Sequence, residues 1–322
     1  MKKGVDFEIF RTILEEKLSK HAKGPGGRPP YDYILMFKVL ILQRYYNLSD
    51  EQVEYQINDR MSFMRFLDLT IADDIPDSRT VWLFREQLAD LGLVEELFSL
   101  FIKELEKLNL IVNEGKIIDA SFVEVPRQRN SRDENAQIKS GEIPESFTQN
   151  PHKQRQKDTD ARWTKKNNIS YFGYKNHVKE DAKSKLITKY LVTDASVHDS
   201  NATGRLLDEN DQGEVFYADS AYSGESQEVI IEEKGMVNQV CEKGARNRPL
   251  TEEQKASNRE KSRVRSRVEH IFGFMEQSMH EMYIQCIGIK RATAIIGLMN
   301  LTYNMFRKIQ LSTLCVDNYV LS

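Results

Sequence analysis

The chain has 322 residues, 30% of them charged, with a formal net charge of −3 and a mean hydropathy of −0.56. That length suggests two domains with ample apolar content for a core, and no run of eighteen apolar residues predicts a membrane span. The opening MKKGVDFEIF lacks the apolar region of a secretion signal, and Cys241, Cys286 and Cys315 have neither CxxC nor Cys/His zinc spacing, so a reduced cytoplasmic protein with incidental thiols is expected.

Residues 5–21 place Phe7, Phe10, Ile13, Leu14 and Leu18 at helical spacing, which predicts an amphipathic helix. The basic breaker KGPGGRPP (23–30) ends it, with two prolines suited to seat the next helix. YDYILMFKVLILQRYY (31–46) is apolar nearly all round and predicts a buried central helix. Ser49 and Gln52 form a capping box for a third helix, and a short helix follows at 61–67. Pro76-Asp77-Ser78 caps the helix RTVWLFREQLAD, and a further helix with a clear apolar stripe spans 94–110. Such a run of short helices is compatible with a helix-turn-helix unit that offers Arg79, Thr80 and Arg85 to DNA, and equally with a plain bundle.

GKIIDASFVEV (115–125) alternates with apolar residues on both faces, as a strand covered on both sides does. Asp119 in its middle is costly to bury unless something pairs with it or coordinates it. Residues 126–166 are poor in large apolar groups and predict an insertion or mobile loop. From 127 to 175 there are 11 Lys/Arg against 6 Asp/Glu, which suits a phosphate backbone as well as a solvated linker; Lys165 and Lys166 are its candidate DNA contacts, and Trp163 a candidate for stacking on an extruded base. An antiparallel hairpin is predicted over 172–195, giving a three-stranded meander with the first strand. A helix begins near Ser200, EVFYADSAYSG (214–224) is a short strand ending at Asp219, and 234–243 is another strand candidate. A strongly basic run (244–267) leads into the helix VEHIFGFMEQSM, which carries Glu269. A short strand (282–287), a helix (291–309) and a tail of little structure (310–322) close the chain. His177 and His198 read as structural groups or as contacts near the site.

This order of elements matches an RNase H-like mixed sheet flanked by helices, behind an all-α, helix-turn-helix-like domain. The domains are then 1–110 for DNA binding, 111–309 for catalysis with the basic insertion at 126–166, and the tail. On that fold Asp119, Asp219 and Glu269 approach one another. Carboxylates about 4 Å apart repel by on the order of 4 kcal/mol per pair at an effective dielectric near 20, so the group needs protons or divalent cations. All-oxygen ligation favours Mg²⁺ or Mn²⁺, and two ions can activate a hydroxyl and stabilise the leaving oxygen of a phosphodiester.

DASFVEV, ADSAYSG and SRVRSRVEHIFGFME resemble the three blocks of DDE transposases of bacterial insertion sequences, at similar separations of 100 and 50 residues, and IPDSRTVWLFREQL resembles a segment of that group's helical N-terminal domain. The resemblance covers about 5–309. It implies catalytic and metal-binding roles for Asp119, Asp219 and Glu269 around two Mg²⁺ or Mn²⁺ ions, and an Arg265 that supports Glu269 or grips a phosphate. It further implies binding of terminal inverted repeats and target DNA, strand cleavage and transfer, a homodimer or higher synaptic assembly, and a nucleoid-associated location. The third block is often Y-x2-R-x3-E-x6-K; here Ser262 and Glu276 replace the tyrosine and lysine, which shifts the terminal DNA contact toward Arg259, Arg263 and Arg267. An RNase H-like nuclease or resolvase, and a non-catalytic DNA-binding repressor, are the alternatives.

Overall fold

The computed structural model describes residues 4–19, 29–244 and 249–320; residues 23–28 of the basic breaker and 245–248 of the later basic run lie outside them. Six helices come first: α1 (Arg11–Leu18), α2 (Tyr33–Tyr45), α3 (Asp50–Asp59), α4 (Met61–Leu67), α5 (Ser78–Asp90) and α6 (Leu93–Lys107). Their starts follow from local chemistry. Asp32 caps α2 by accepting from the Ile34 and Leu35 amides, Ser49 and Gln52 close the capping box of α3, and Asp77 accepts from the Thr80 amide at α5. Phe10, Phe37 and Phe101 are fully buried among them.

Strand β1 (Lys116–Glu124) leads into the segment expected to be an insertion or a mobile loop. It is instead ordered as α7 (Arg132–Lys139), α8 (Glu145–Thr148), α9 (Pro151–Arg155) and the edge strand β2 (Arg162–Lys166). Two apolar anchors, Ile138 and Phe147, are buried, and the Glu134 carboxylate binds Ser146, Lys153 and the Ser131 amide. Short helices tied by local caps need little apolar surface, and composition alone underrated that route. Asp158 anchors the segment to the sheet by accepting from the Tyr174 hydroxyl at 2.7 Å.

Next come β3 (Ile169–Asp181), β4 (Ile187–Asp194), α10 (Thr203–Leu206), β5 (Val215–Tyr217), α11 (Glu225–Glu233) and β6 (Val237–Asn238). Along the sheet the order is β2-β3-β1-β5-β6, with β4 also on β3. β1 and β3 are antiparallel, whereas β1, β5 and β6 run parallel. This is the RNase H-like arrangement, and it contains the expected β1-β3-β4 meander. Ile117 packs with the apolar core shared by the N-terminal helices, and Ile118 with a second cluster around Phe216 and Tyr222.

Three helices complete the chain: α12 (Glu252–Arg265), α13 (Glu269–Gln277) and α14 (Ile289–Val320). In place of a strand over 282–287 there is a single bridge between Tyr283 and Glu124. Helix α14 also continues through most of the expected tail, where no glycine or proline interrupts it. It packs between the N-terminal helices and β4. Amides fix that docking: Asn300 and Asn176 exchange hydrogen bonds at 2.7 and 3.0 Å, and Asn304 binds both the N–H and the carbonyl of Ile187. At Gly297 a Cβ would collide with Tyr190 and Val94, so the close approach of α14 needs glycine there.

Candidate active site

Asp119 points from the middle of β1 toward the helices of the shared core, on the face that carries Ile117 and Val123. Its side chain is 17% exposed, and burial raises its carboxyl to about 6. The Ala120 amide and Arg265 oppose that rise, whereas the nearby charge of Asp219 adds to it. Asp219 follows β5 after one residue and caps the next turn by accepting from the Ala221 amide at 2.7 Å. The parallel pairing of β5 with β1 brings this turn to the side of Asp119.

Glu269 opens α13 and is 66% exposed on its side chain. One guanidinium joins it to the strand: Arg265 donates to Asp119 Oδ2 at 3.0 Å and to Glu269 Oε1 at 3.1 Å. The spacing of four residues puts Arg265 and Glu269 on one edge of the helical segment, and the buried Val268, Ile271 and Met275 hold that segment on the sheet. Asp119 and Glu269 are therefore tied by a cation, with Asp219 within electrostatic reach of Asp119. Among the described residues no three metal-ligating side chains stand close enough to hold an ion as they are. The donors are nevertheless all carboxylates, and the raised Asp119 beside Asp219 is the electrostatic setting a divalent cation relieves.

The basic candidates differ in their freedom. Arg79 is exposed on the first turn of α5. Arg85 is not presented to solvent: it makes a bidentate pair with Asp50 and also binds Gln43 at 2.9 Å. Arg259 and Arg263 are exposed on α12, and Lys165 and Lys166 on β2. Arg267 donates to the Ala182 carbonyl at 2.7 Å, which clamps the start of α13 to the end of β3. Ser262 lies by Cys241, with oxygen and sulfur 3.6 Å apart. His177 is buried, bonds Thr193 at 2.9 Å and is pushed down to about 4 by burial; His198 bonds Ser200 at 2.8 Å. Both act locally in structure. Trp163 is partly exposed, with the Arg127 guanidinium over its ring.

Two groups near the carboxylates escaped the sequence reading. Glu180 on β3 is fully buried, its oxygens have no hydrogen-bond partner, and burial raises its carboxyl well above the ordinary range. Tyr222 is buried with an unpartnered hydroxyl in the field of Asp119, Asp199 and Asp219. The ADSAYSG block contained Tyr222, three residues past Asp219, but nothing in the strand KNHVKED distinguished Glu180.

Residues 1–87 match a family described as Transposase domain (DUF772), and residues 112–305 match the family described as Transposase DDE domain. A solved structure, that of the piggyBac transposase synaptic complex with hairpin DNA, is similar over 94% of this chain and 73% of its own, with a TM-score of 0.47 and 12% identity. The Transposase DDE domain match spans more than half of the 322 residues, and the chain thus belongs to the DDE transposase family.

Proposed function

We propose that this DNA transposase binds the terminal inverted repeats of its element and performs strand cleavage and strand transfer with Asp119, Asp219 and Glu269 as its catalytic triad. The observation that carries the reading is the Arg265 guanidinium, which joins Asp119 on β1 to Glu269 on α13 across 146 residues of sequence at 3.0 and 3.1 Å. An ordinary surface arginine has no need of a half-buried strand carboxylate whose proton affinity is already raised. Asp119, Asp219 and Glu269 would hold Mg²⁺ or Mn²⁺, two ions in the full site. When bound, such ions supply Lewis acidity to the scissile phosphodiester and lower the pKa of an attacking water or 3′-hydroxyl.

The chain's own residues set the stage for that chemistry. Arg265 balances the charge of Asp119 and Glu269 before DNA arrives and is placed to turn to a phosphate afterwards. Arg259 and Arg263 extend this positive edge along α12, and Lys165 and Lys166 form a second one on β2, so a duplex has phosphate contacts on both sides of the site. Arg79 presents a base or phosphate contact from α5, while Arg85 shapes that helix through Asp50. Joining two DNA ends requires at least two copies of the chain, and so a homodimer or higher assembly acting at the nucleoid.

The test uses duplexes that carry the inverted repeats flanking the gene. Asp119→Asn is expected to bind these ends like the parent and to lose strand cleavage in Mg²⁺. Cleavage at the parent rate would remove Asp119 from the chemistry and the triad with it.

A further inference from the structure

The last turn of α2 carries a charge that no carboxylate balances among the described residues. Arg44 is 8% exposed; its Nη2 donates to the Leu48 carbonyl at 3.3 Å, and its Nε has no hydrogen-bond partner. Asp50 attracts it but is already taken. Arg85 binds both oxygens of that carboxylate, and Gln43 donates to one of them. Burial works to raise the Asp50 carboxyl, yet the hydrogen bonds and charge of Arg85 hold it below its ordinary value, so Asp50 stays an anion committed to Arg85. Two guanidinium groups thus share one carboxylate. Burial, and then the nearby Arg85 charge, push Arg44 down to about 10, which leaves it cationic at neutral pH.

Arg44 lines a cavity of about 240 Å³. Arg85, Asp50 and Glu51 share its helical wall, and Tyr283 and Gln285 come to it from the segment between α13 and α14. Glu51 is exposed and accepts from the Ser49 hydroxyl at 3.1 Å. A water takes about 30 Å³, so the space holds a tetrahedral oxyanion together with several waters. A buried cation without a counter-ion is costly, and an anion that joins it in the cavity relieves that cost. Guanidinium groups fit the oxygens of carboxylates and phosphates. The Tyr283 hydroxyl and the Gln285 amide add donors from a second part of the chain. A tetrahedral oxyanion presents oxygens in several directions to such a set, whereas the two oxygens of a carboxylate lie in one plane.

We infer that this cavity binds one phosphate-type oxyanion through Arg44. Its walls come from both the helical and the catalytic parts of the chain, so the bound anion braces α2 and α3 against the segment whose Tyr283 bridges to Glu124 at the end of β1. The inference is independent of the carboxylate triad. Free phosphate and a phosphate of the DNA backbone share this chemistry, and the experiment distinguishes them.

The full-length protein is titrated with inorganic phosphate near pH 7 by calorimetry, in EDTA to keep divalent ions off the carboxylates, and with chloride holding the ionic strength constant. The parent is expected to bind one phosphate per chain saturably, and to melt at a higher temperature as phosphate rises. Arg44→Gln, which keeps an N–H donor, should weaken phosphate binding at least about tenfold, the loss expected for a hydrogen bond to a charged group, and should abolish the phosphate-dependent rise in melting. Tyr283→Phe removes only a hydroxyl and should weaken binding about two- to tenfold; it decides the matter if Arg44→Gln does not fold. A saturating DNA duplex then separates the sources. Displacement of phosphate one for one identifies the occupant as a backbone phosphate, and an unchanged phosphate affinity identifies it as the free anion. Phosphate binding that does not saturate overturns the inference. So does parent-like affinity in Arg44→Gln, or in Tyr283→Phe where Arg44→Gln does not fold.

Discussion

Replacement of Arg265 by glutamine removes the cation that joins Asp119 to Glu269, and its effect on metal affinity follows from the two contacts. The arm to Asp119 spans 3.0 Å between side chains that are 22% and 17% exposed, and a hydrogen bond to a charged group in such a place is worth about 1.5–3 kcal/mol. The arm to Glu269 ends on a carboxylate that is 66% exposed, where an ion pair contributes about 0–1 kcal/mol. An incoming divalent ion has to replace the first and part of the second, about 1.5–3 kcal/mol, or roughly 10- to 100-fold in affinity. Arg265→Gln is therefore expected to bind Mn²⁺ about 10- to 100-fold more tightly than the parent when no DNA is present. Calorimetric or electron-paramagnetic titration at about pH 8, where Asp119 is ionised, reads this directly. Duplex DNA should raise the parent's Mn²⁺ affinity by drawing the guanidinium to a phosphate, and linkage requires Mn²⁺ to tighten DNA binding by the same factor. The variant should show little of this coupling. Mn²⁺ binding that is unchanged or weaker in Arg265→Gln would show that the arginine does not compete with the ion.

Two further predictions concern stability. Burial raises Asp119 from its ordinary 3.8 to about 6, an unfavourable charge worth up to about 3 kcal/mol at neutral pH. The folded state binds the proton more tightly than the unfolded one, so the parent loses stability as pH rises from about 4 through 6. Asp119→Asn should melt above the parent at pH 7, with the gap closing toward pH 4; a gap independent of pH, or a less stable variant at pH 7, refutes the assignment of that strain. Asn304→Leu strips both hydrogen bonds from the Ile187 backbone at the start of β4 and should cost about 2–6 kcal/mol in urea unfolding, since each orphaned buried group costs about 1–3 kcal/mol. A loss below 1 kcal/mol, on the order of one ordinary hydrogen bond, would mean that α14 is not pinned there.

The helices of the first hundred residues were legible because their signals are local. Asp32, Ser49 with Gln52, and Asp77 each cap the helix they precede, and the apolar run of 31–46 became the buried α2. What failed depended on distant partners or on cooperative local order. The segment 126–166 looked too polar to fold, yet Glu134 gathers three partners around it and Asp158 ties it to Tyr174 and Gly288. The strand expected over 282–287 finds only Glu124 to pair with, and an apolar run without a continuous edge to join makes a single bridge. The pairing of Arg85, offered to DNA, with Asp50 was not visible because the two are 35 residues apart in sequence.

The three acidic blocks were legible for a different reason: each sits on an element whose type the local pattern sets, and the sheet topology does the rest. Parallel pairing of β5 with β1 brings the Asp219 turn beside Asp119, and the apolar stripe Val268, Ile271 and Met275 lays Glu269 along the same face. Arg265 could be placed on the edge of that stripe, but its partner could not, because a spacing of four predicts only the Glu269 arm. The second arm, to Asp119, arises from how the helix docks. That arm changes the meaning of the arginine from a surface ion pair to a charge held inside the site, and under the proposed function it would make divalent-ion binding and DNA binding two sides of one equilibrium.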